Sequence, residues 1–128
     1  MRFLLDTQLL LWATGAQERL SEAAEKIIPY STVRLFYSSV SVWEVAIKST
    51  LGRSDFYVKP ARFLEELIDR GYAELPVHAD HAIAVAELPT IHRDPFDRML
   101  IGQATSESIM LLTADRVIGS YPGPIQMV

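Results

Sequence analysis

Four carboxylates stand where their chemistry is hard to ignore. Asp6 closes the apolar segment Arg2–Leu5, and Asp115 lies two residues beyond a second apolar segment, 109–113. Glu44 and Asp97 each fall at the start of a predicted helix. Gathered together, such groups repel one another unless something compensates them. Magnesium or manganese is the natural compensator, because both are hard ions that take oxygen ligands and keep several waters. An ion held this way polarises a phosphoryl oxygen, activates water and stabilises a leaving oxyanion, which is the chemistry of phosphodiester hydrolysis. Asp6 is the acid least open to a simpler explanation, since an ionisable residue ending an apolar strand needs a partner.

The other acids have simpler roles available. Ser41-x-x-Glu44 has the form of a capping box, and Glu44 with Lys48 is an i,i+4 pair worth ~0.3–0.5 kcal/mol. Asp94 precedes Pro95 and suits an N-cap, which puts Asp97 in a first turn favoured by the helix dipole. Asp115 can cap the turn that follows it. Lys48, Arg53, Arg93, Arg98 and Arg116 are placed to border the acids and hold an RNA backbone, or to be solvated charges. His78 and His81, at i,i+3, lack a cysteine or a third nearby ligand, which argues against a transition-metal site. His92 is a phosphate-contact candidate or a surface loop residue. Trp12 and Trp43 read as core or interface anchors rather than stacking platforms for bases.

The elements that must position these residues alternate. Strands are predicted at 2–5, 34–38, 73–77, 109–113 and 125–127. Helical segments are predicted from Leu9 to Gly15, Glu22 to Ile28 behind a Ser21 cap, Ser41 to Leu51, Pro60 to Gly71, Asp80 to Leu88, and Phe96 to Ser106, with a short turn at 116–118. Gly52 and Gly71 suit helix ends, and Pro76 limits the third strand to an edge or an end. This alternation predicts an α/β fold in which helices cover both faces of a parallel sheet through right-handed crossovers. In such sheets ligands bind beyond the carboxyl ends of the strands, the rim where the acids should meet.

Bulk properties set the limits. A chain of 128 residues, 49% apolar, suits one domain with one sizeable core. The apolar runs fall short of the ~20 residues that span a membrane. No signal-peptide pattern is read at the N-terminus, and the absence of cysteine excludes disulfides and thiolate sites, so a cytoplasmic protein without a membrane partner is expected. The net charge of −4 has the wrong sign for a nucleic-acid binder, although two divalent ions would bring the sum to about zero.

Four blocks carry a resemblance. Met1-Arg-Phe-Leu-Leu-Asp-Thr-Gln-Leu-Leu-Leu-Trp12 resembles the opening of PIN-domain proteins, as does Ser38-Ser-Val-Ser-Val-Trp-Glu-Val-Ala-Ile-Lys48. The segment Leu88-Pro-Thr-Ile-His-Arg-Asp-Pro-Phe-Asp-Arg-Met-Leu-Ile-Gly-Gln-Ala104 is the most specific, and Leu112-Thr-Ala-Asp-Arg116 supplies the fourth. Together they are similar to VapC-type toxins of bacterial type II toxin–antitoxin systems. The resemblance implies a three-layer α/β/α PIN-like fold with a central parallel sheet, one domain over 1–128, and Mg2+- or Mn2+-dependent ribonuclease activity. It places the four family acids on Asp6, Glu44, Asp97 and Asp115. Asp6 and Asp97 would be the main direct ligands, and Glu44 and Asp115 would complete the set directly or through water. Thr7 and Thr113 would orient carboxylates, and Ser41 and Asp94 would support the site. A small antitoxin and a homodimer are implied as well. Two positions depart from many relatives: Gln8 replaces histidine, and Gly102 replaces alanine, which should weaken its helix by up to ~1 kcal/mol unless close packing uses it.

Two other readings stand beside this one. A PIN-fold module could bind RNA or a protein without cutting. A phosphoacceptor receiver domain would need paired acids after the first strand and an acceptor after the third, whereas Asp6 stands alone and Pro76-Val77 follow the third strand.

Overall fold

The computed structural model describes residues 1–30, 32–52 and 56–128. Its centre is a five-stranded, wholly parallel sheet in the order β3-β2-β1-β4-β5. The strands are β1 (Arg2–Leu5), β2 (Arg34–Ser38), β3 (Ala73–Leu75), β4 (Met110–Thr113) and β5 (Ile125–Met127). The chain runs outward from β1 to β3 and then crosses back to lay β4 on the free side of β1. The direction of winding therefore reverses between β1 and β4, where Leu4 pairs with Leu111 and Leu5 with Leu112. Such a reversal opens a crevice at the carboxyl ends of the two strands.

Seven helices accompany the sheet: α1 (Thr7–Gly15), α2 (Glu22–Glu25), α3 (Ser39–Thr50), α4 (Pro60–Asp69), α5 (Ala79–Ala86), α6 (Pro95–Glu107) and α7 (Arg116–Gly119). The period-2 alternation of the central strands creates two cores. Phe3, Leu5 and Leu112 face one side with Leu9 and Leu10 of α1, Val45 of α3 and Phe63 and Leu67 of α4. Leu4 and Leu111 face the other with Leu100, Ile101 and Ala104 of α6. Burial of each such leucine contributes about 1.5–3 kcal/mol, so β1, apolar on both faces, is the fixed centre that presents Asp6. The expected α/β/α layering is observed.

Several boundaries differ from expectation. The helix after β2 starts earlier, because the Ser38 hydroxyl accepts the Val40 N–H at 3.0 Å and is the N-cap. Ser41 is therefore not a cap and Glu44 is not in a capping box; Glu44 sits in the second turn. Gly52, just past α3, has φ +67°, and Gly71, just past α4, has φ +84°, conformations that glycine adopts without steric cost. Asp80 does not cap α5. His78 is the cap residue, and the His81 ring accepts its N–H through Nδ1 at 2.9 Å. The helix behind Ser21 ends at Glu25 and not at Ile28, and β3 ends at Leu75, before Pro76.

Candidate active site

The crevice at the β1/β4 reversal is a cleft of about 350 Å³ lined by Asp6, Glu44, Asp94, Asp97 and Asp115 together with Lys48 and Trp12. The five acids arrive from four places in the fold, with Asp94 and Asp97 both at the start of α6. Asp6 follows β1 and caps α1, its Oδ1 accepting the Leu9 N–H at 2.8 Å. Thr113, the last residue of β4, donates its hydroxyl to Asp6 Oδ2. The same Thr113 oxygen accepts the Asp115 N–H at 3.0 Å, so one buried hydroxyl ties two acids together. Asp115 Oδ1 caps α7 through the Val117 N–H at 2.8 Å. Glu44 is buried, with Oε2 2.8 Å from Lys48 Nζ and Oε1 without a hydrogen-bond partner among the described residues.

Asp94 and Asp97 divide their roles. Asp94 Oδ1 accepts both the Phe96 and Asp97 N–H groups, at 2.9 and 3.0 Å, and caps α6. That cap presents Asp97 from the first turn, where its Oδ2 meets His92 Nε2 at 3.0 Å. Glu44, Asp97 and Asp115 are thus each held by one oxygen, and among the described residues the other oxygen takes no hydrogen bond.

The electrostatics are those of acids gathered without enough cation. Burial pushes the Asp6 carboxyl up to about 6, partly offset by the Thr113 and Leu9 hydrogen bonds and reinforced by the charges of Asp97 and Asp115. Burial also pushes Asp97 up to about 6; the His92 hydrogen bond opposes this, and the charges of Asp94 and Glu44 add to it. The oxygen donor set and its uncompensated charge fit a hard divalent cation. In the present arrangement, no three histidine or carboxylate side chains among the described residues stand close enough together to enclose one ion.

The remaining candidates are distributed unevenly. Lys48 lines the cleft, whereas Arg93, Arg98 and Arg116 are not among its lining residues. Arg98 is engaged within the protein, its Nη1 donating to Pro89 O at 2.8 Å and to Tyr121 Oη at 3.0 Å. Arg53 lies outside the described residues. Thr7 donates to Ser41 Oγ at 2.8 Å rather than to a carboxylate, so this buried pair joins α1 to α3 beneath the site. His81 donates from Nε2 to Glu107 Oε1 at 2.8 Å, a fully structural use. Trp43 is 60% exposed and meets Phe96 edge-on, while Trp12 forms part of the cleft wall. Tyr121, buried beside His92, has no signal in the sequence beyond its place in a turn-rich stretch.

Residues 3–123 match the PIN domain family. The chain belongs to the PIN domain family. It is 26% identical over 121 residues to a protein named Ribonuclease VapC22 from Mycobacterium tuberculosis, covering 94% of this chain and 92% of that protein. Its fold is similar to that of VapBC2 from Rickettsia felis, solved bound to a DNA fragment from its promoter, with a TM-score of 0.74 at 14% identity over 100% of this chain and 99% of that one. DNA-bound VapBC from Salmonella typhimurium gives a TM-score of 0.69 at 22% identity, covering 99% of this chain and 98% of that chain. No helix among the described residues of this PIN protein is long and apolar enough to cross a membrane.

Proposed function

We propose that this PIN domain, taken as one unit over 1–128, is a metal-dependent endoribonuclease and the toxin of a bacterial toxin–antitoxin pair. The observation that carries the reading is the meeting of Asp6, Glu44, Asp97 and Asp115, from four separate elements, in one cleft at the strand reversal. The ribonuclease name of the mycobacterial relative and the toxin–antitoxin complexes of similar fold support it.

Asp6 and Asp97 would hold Mg2+ or Mn2+, and Glu44 and Asp115 would complete the set directly or through water. A bound divalent cation supplies positive charge to a phosphoryl oxygen and lowers the pKa of water. The chain's own residues do the positioning. Thr113 holds Asp6 and Asp115 in register, the Asp94 cap sets Asp97 at the rim, and the Lys48 ammonium, paired with Glu44, would offer a contact for phosphate. Water attacks phosphorus, the P–O3′ bond breaks, and the departing O3′ takes up a proton, leaving 5′-phosphate and 3′-hydroxyl ends. Arg93, Arg98 and Arg116 are retained as candidate RNA contacts, with Arg98 the weakest because its guanidinium is already engaged. A cognate antitoxin, a homodimer and a cytoplasmic setting complete the reading.

The decisive experiment incubates RNA with purified protein and Mg2+ or Mn2+, beside Asp6→Asn and Asp97→Asn. Cleavage by the wild type, lowered at least a hundredfold in both variants, is expected; equal cleavage by all three would remove the site from consideration. A non-catalytic RNA- or protein-binding module is the second reading, favoured by one observation: among the described residues, no three acids close around a single ion as they stand. Tight RNA binding without metal-dependent turnover would select it.

A further inference from the structure

We infer that Tyr121, acting through His92, is a positioning residue for Asp97 and thereby sets the affinity of the site for its cation. The inference rests on the reading of the cleft as a metal-dependent nuclease site. Its basis is a count of protons around one buried phenol oxygen.

Tyr121 follows α7 and is 4% exposed. Its oxygen receives the His92 backbone N–H at 3.0 Å and the Arg98 Nη1–H at 3.0 Å. Neither group can do anything but donate, so both phenol lone pairs are taken. The single phenol proton must then be donated outward. His92 Nδ1 stands 2.7 Å away and the His92 carbonyl oxygen 3.3 Å away, so the ring nitrogen is the better acceptor. A neutral imidazole that accepts at Nδ1 carries its proton on Nε2. That Nε2–H is directed at Asp97 Oδ2, 3.0 Å away. The tautomer of His92 is therefore dictated by a tyrosine at the far end of the chain, and the proton it presents locks one oxygen of Asp97. The other oxygen takes no hydrogen bond among the described residues and stays available.

A loop anchor alone would not need this last link. The loop at 89–94 is already tied by Arg98 to Pro89 O and by the His92 N–H to Tyr121. The imidazole bond to Asp97 is one more link to α6, and it is the one that removes rotational freedom from a carboxylate at the cleft wall.

Two measurements test the inference. Histidine-ring 15N NMR of the metal-free protein at about pH 8 should show His92 protonated at Nε2 and bare at Nδ1, with the preference lost in Tyr121→Phe. A wild-type ring protonated at Nδ1 instead would overturn the proton count. Titration with Mn2+ followed by EPR should show affinity about tenfold or more weaker in His92→Ala, within the range typical of groups that orient metal ligands. Tyr121→Phe should weaken it severalfold. His92→Gln, whose amide can still donate to Asp97, should recover much of the loss. Tyr37→Phe, which removes a buried hydroxyl bonded to Glu74 on the other core, should bind Mn2+ like wild type. Unchanged Mn2+ affinity in either Tyr121→Phe or His92→Ala, with a wild type that binds, would overturn the inference alone. A wild type that does not bind Mn2+ would instead overturn the nuclease reading and this inference with it.

Discussion

At the scale of single residues, Asp6 concentrates the conflict between stability and function. It is buried at the end of the central strand, and burial raises its carboxyl from 3.8 to about 6. At ~1.4 kcal/mol per unit, ionising it in the metal-free fold costs roughly 3 kcal/mol near neutral pH. Asp6→Asn keeps the shape and an acceptor for the Leu9 N–H while removing the charge. The metal-free variant should melt several degrees above wild type at pH 7.5, and its melting temperature should no longer respond to Mn2+. A lower melting temperature than wild type would mean that the Thr113 hydrogen bond outweighs the burial of charge. Asp6 was legible as an anomaly in the sequence because its neighbours on the N-terminal side are apolar. Tyr121 was not legible, because its role depends on a contact with His92, 29 residues away.

At the scale of elements, close approach and capping decide where helices begin and how tightly they pack. Gly102 in α6 lies against α5, where an added Cβ would come within 2.7 Å of Val85 Cγ2 and 2.9 Å of the His81 carbonyl oxygen. The valine can move, but the backbone carbonyl cannot do so cheaply. Gly102→Ala would gain up to ~1 kcal/mol in helix propensity and lose about 1–3 kcal/mol to overpacking. Net destabilisation is expected in urea melts, and a stabilised variant would show that α5 shifts freely. Close packing therefore accounts for glycine here. Ser38→Ala removes the α3 cap and should cost about 1 kcal/mol, within the usual range for N-caps. The run 38–41 contains three serines of the same chemistry, and only the backbone turn at the end of β2 makes Ser38 the cap.

At the scale of the whole molecule, the net charge of −4 is concentrated where it does harm in the metal-free protein. Burial holds the Asp6 and Asp97 carboxyls at about 6 in the fold, above the ordinary carboxylate value of 3.8. Their contribution to stability is therefore complete below about 3.8 and is lost as pH rises through about 6. For these two groups, the metal-free protein should gain stability as pH falls from about 7.5 to about 5. Mn2+ should raise the melting temperature more at pH 7.5 than at pH 5, because at the lower pH protons compete for the same oxygens. Calorimetry at both pH values checks this, and a stabilisation by Mn2+ that does not depend on pH would place the ion away from these two acids.

The alternation of apolar strands and capped helices determined, from sequence alone, the α/β class, five strand positions and a rim where separated acids could meet; the resemblance to PIN-domain proteins picked out four of them. Those signals are local: side-chain period, turn residues and the misfit of a charge in an apolar run are all properties of neighbours along the chain. Tertiary structure decided that α3 begins at Ser38, that Thr7 serves Ser41 and that Thr113 binds Asp6. It also decided that His92 faces Asp97 instead of solvent. Each of these depends on which hydrogen-bonding partner lies nearest after folding, and for Thr113 and Asp6, 107 residues apart, it is the pairing of β1 with β4 that brings the partners together.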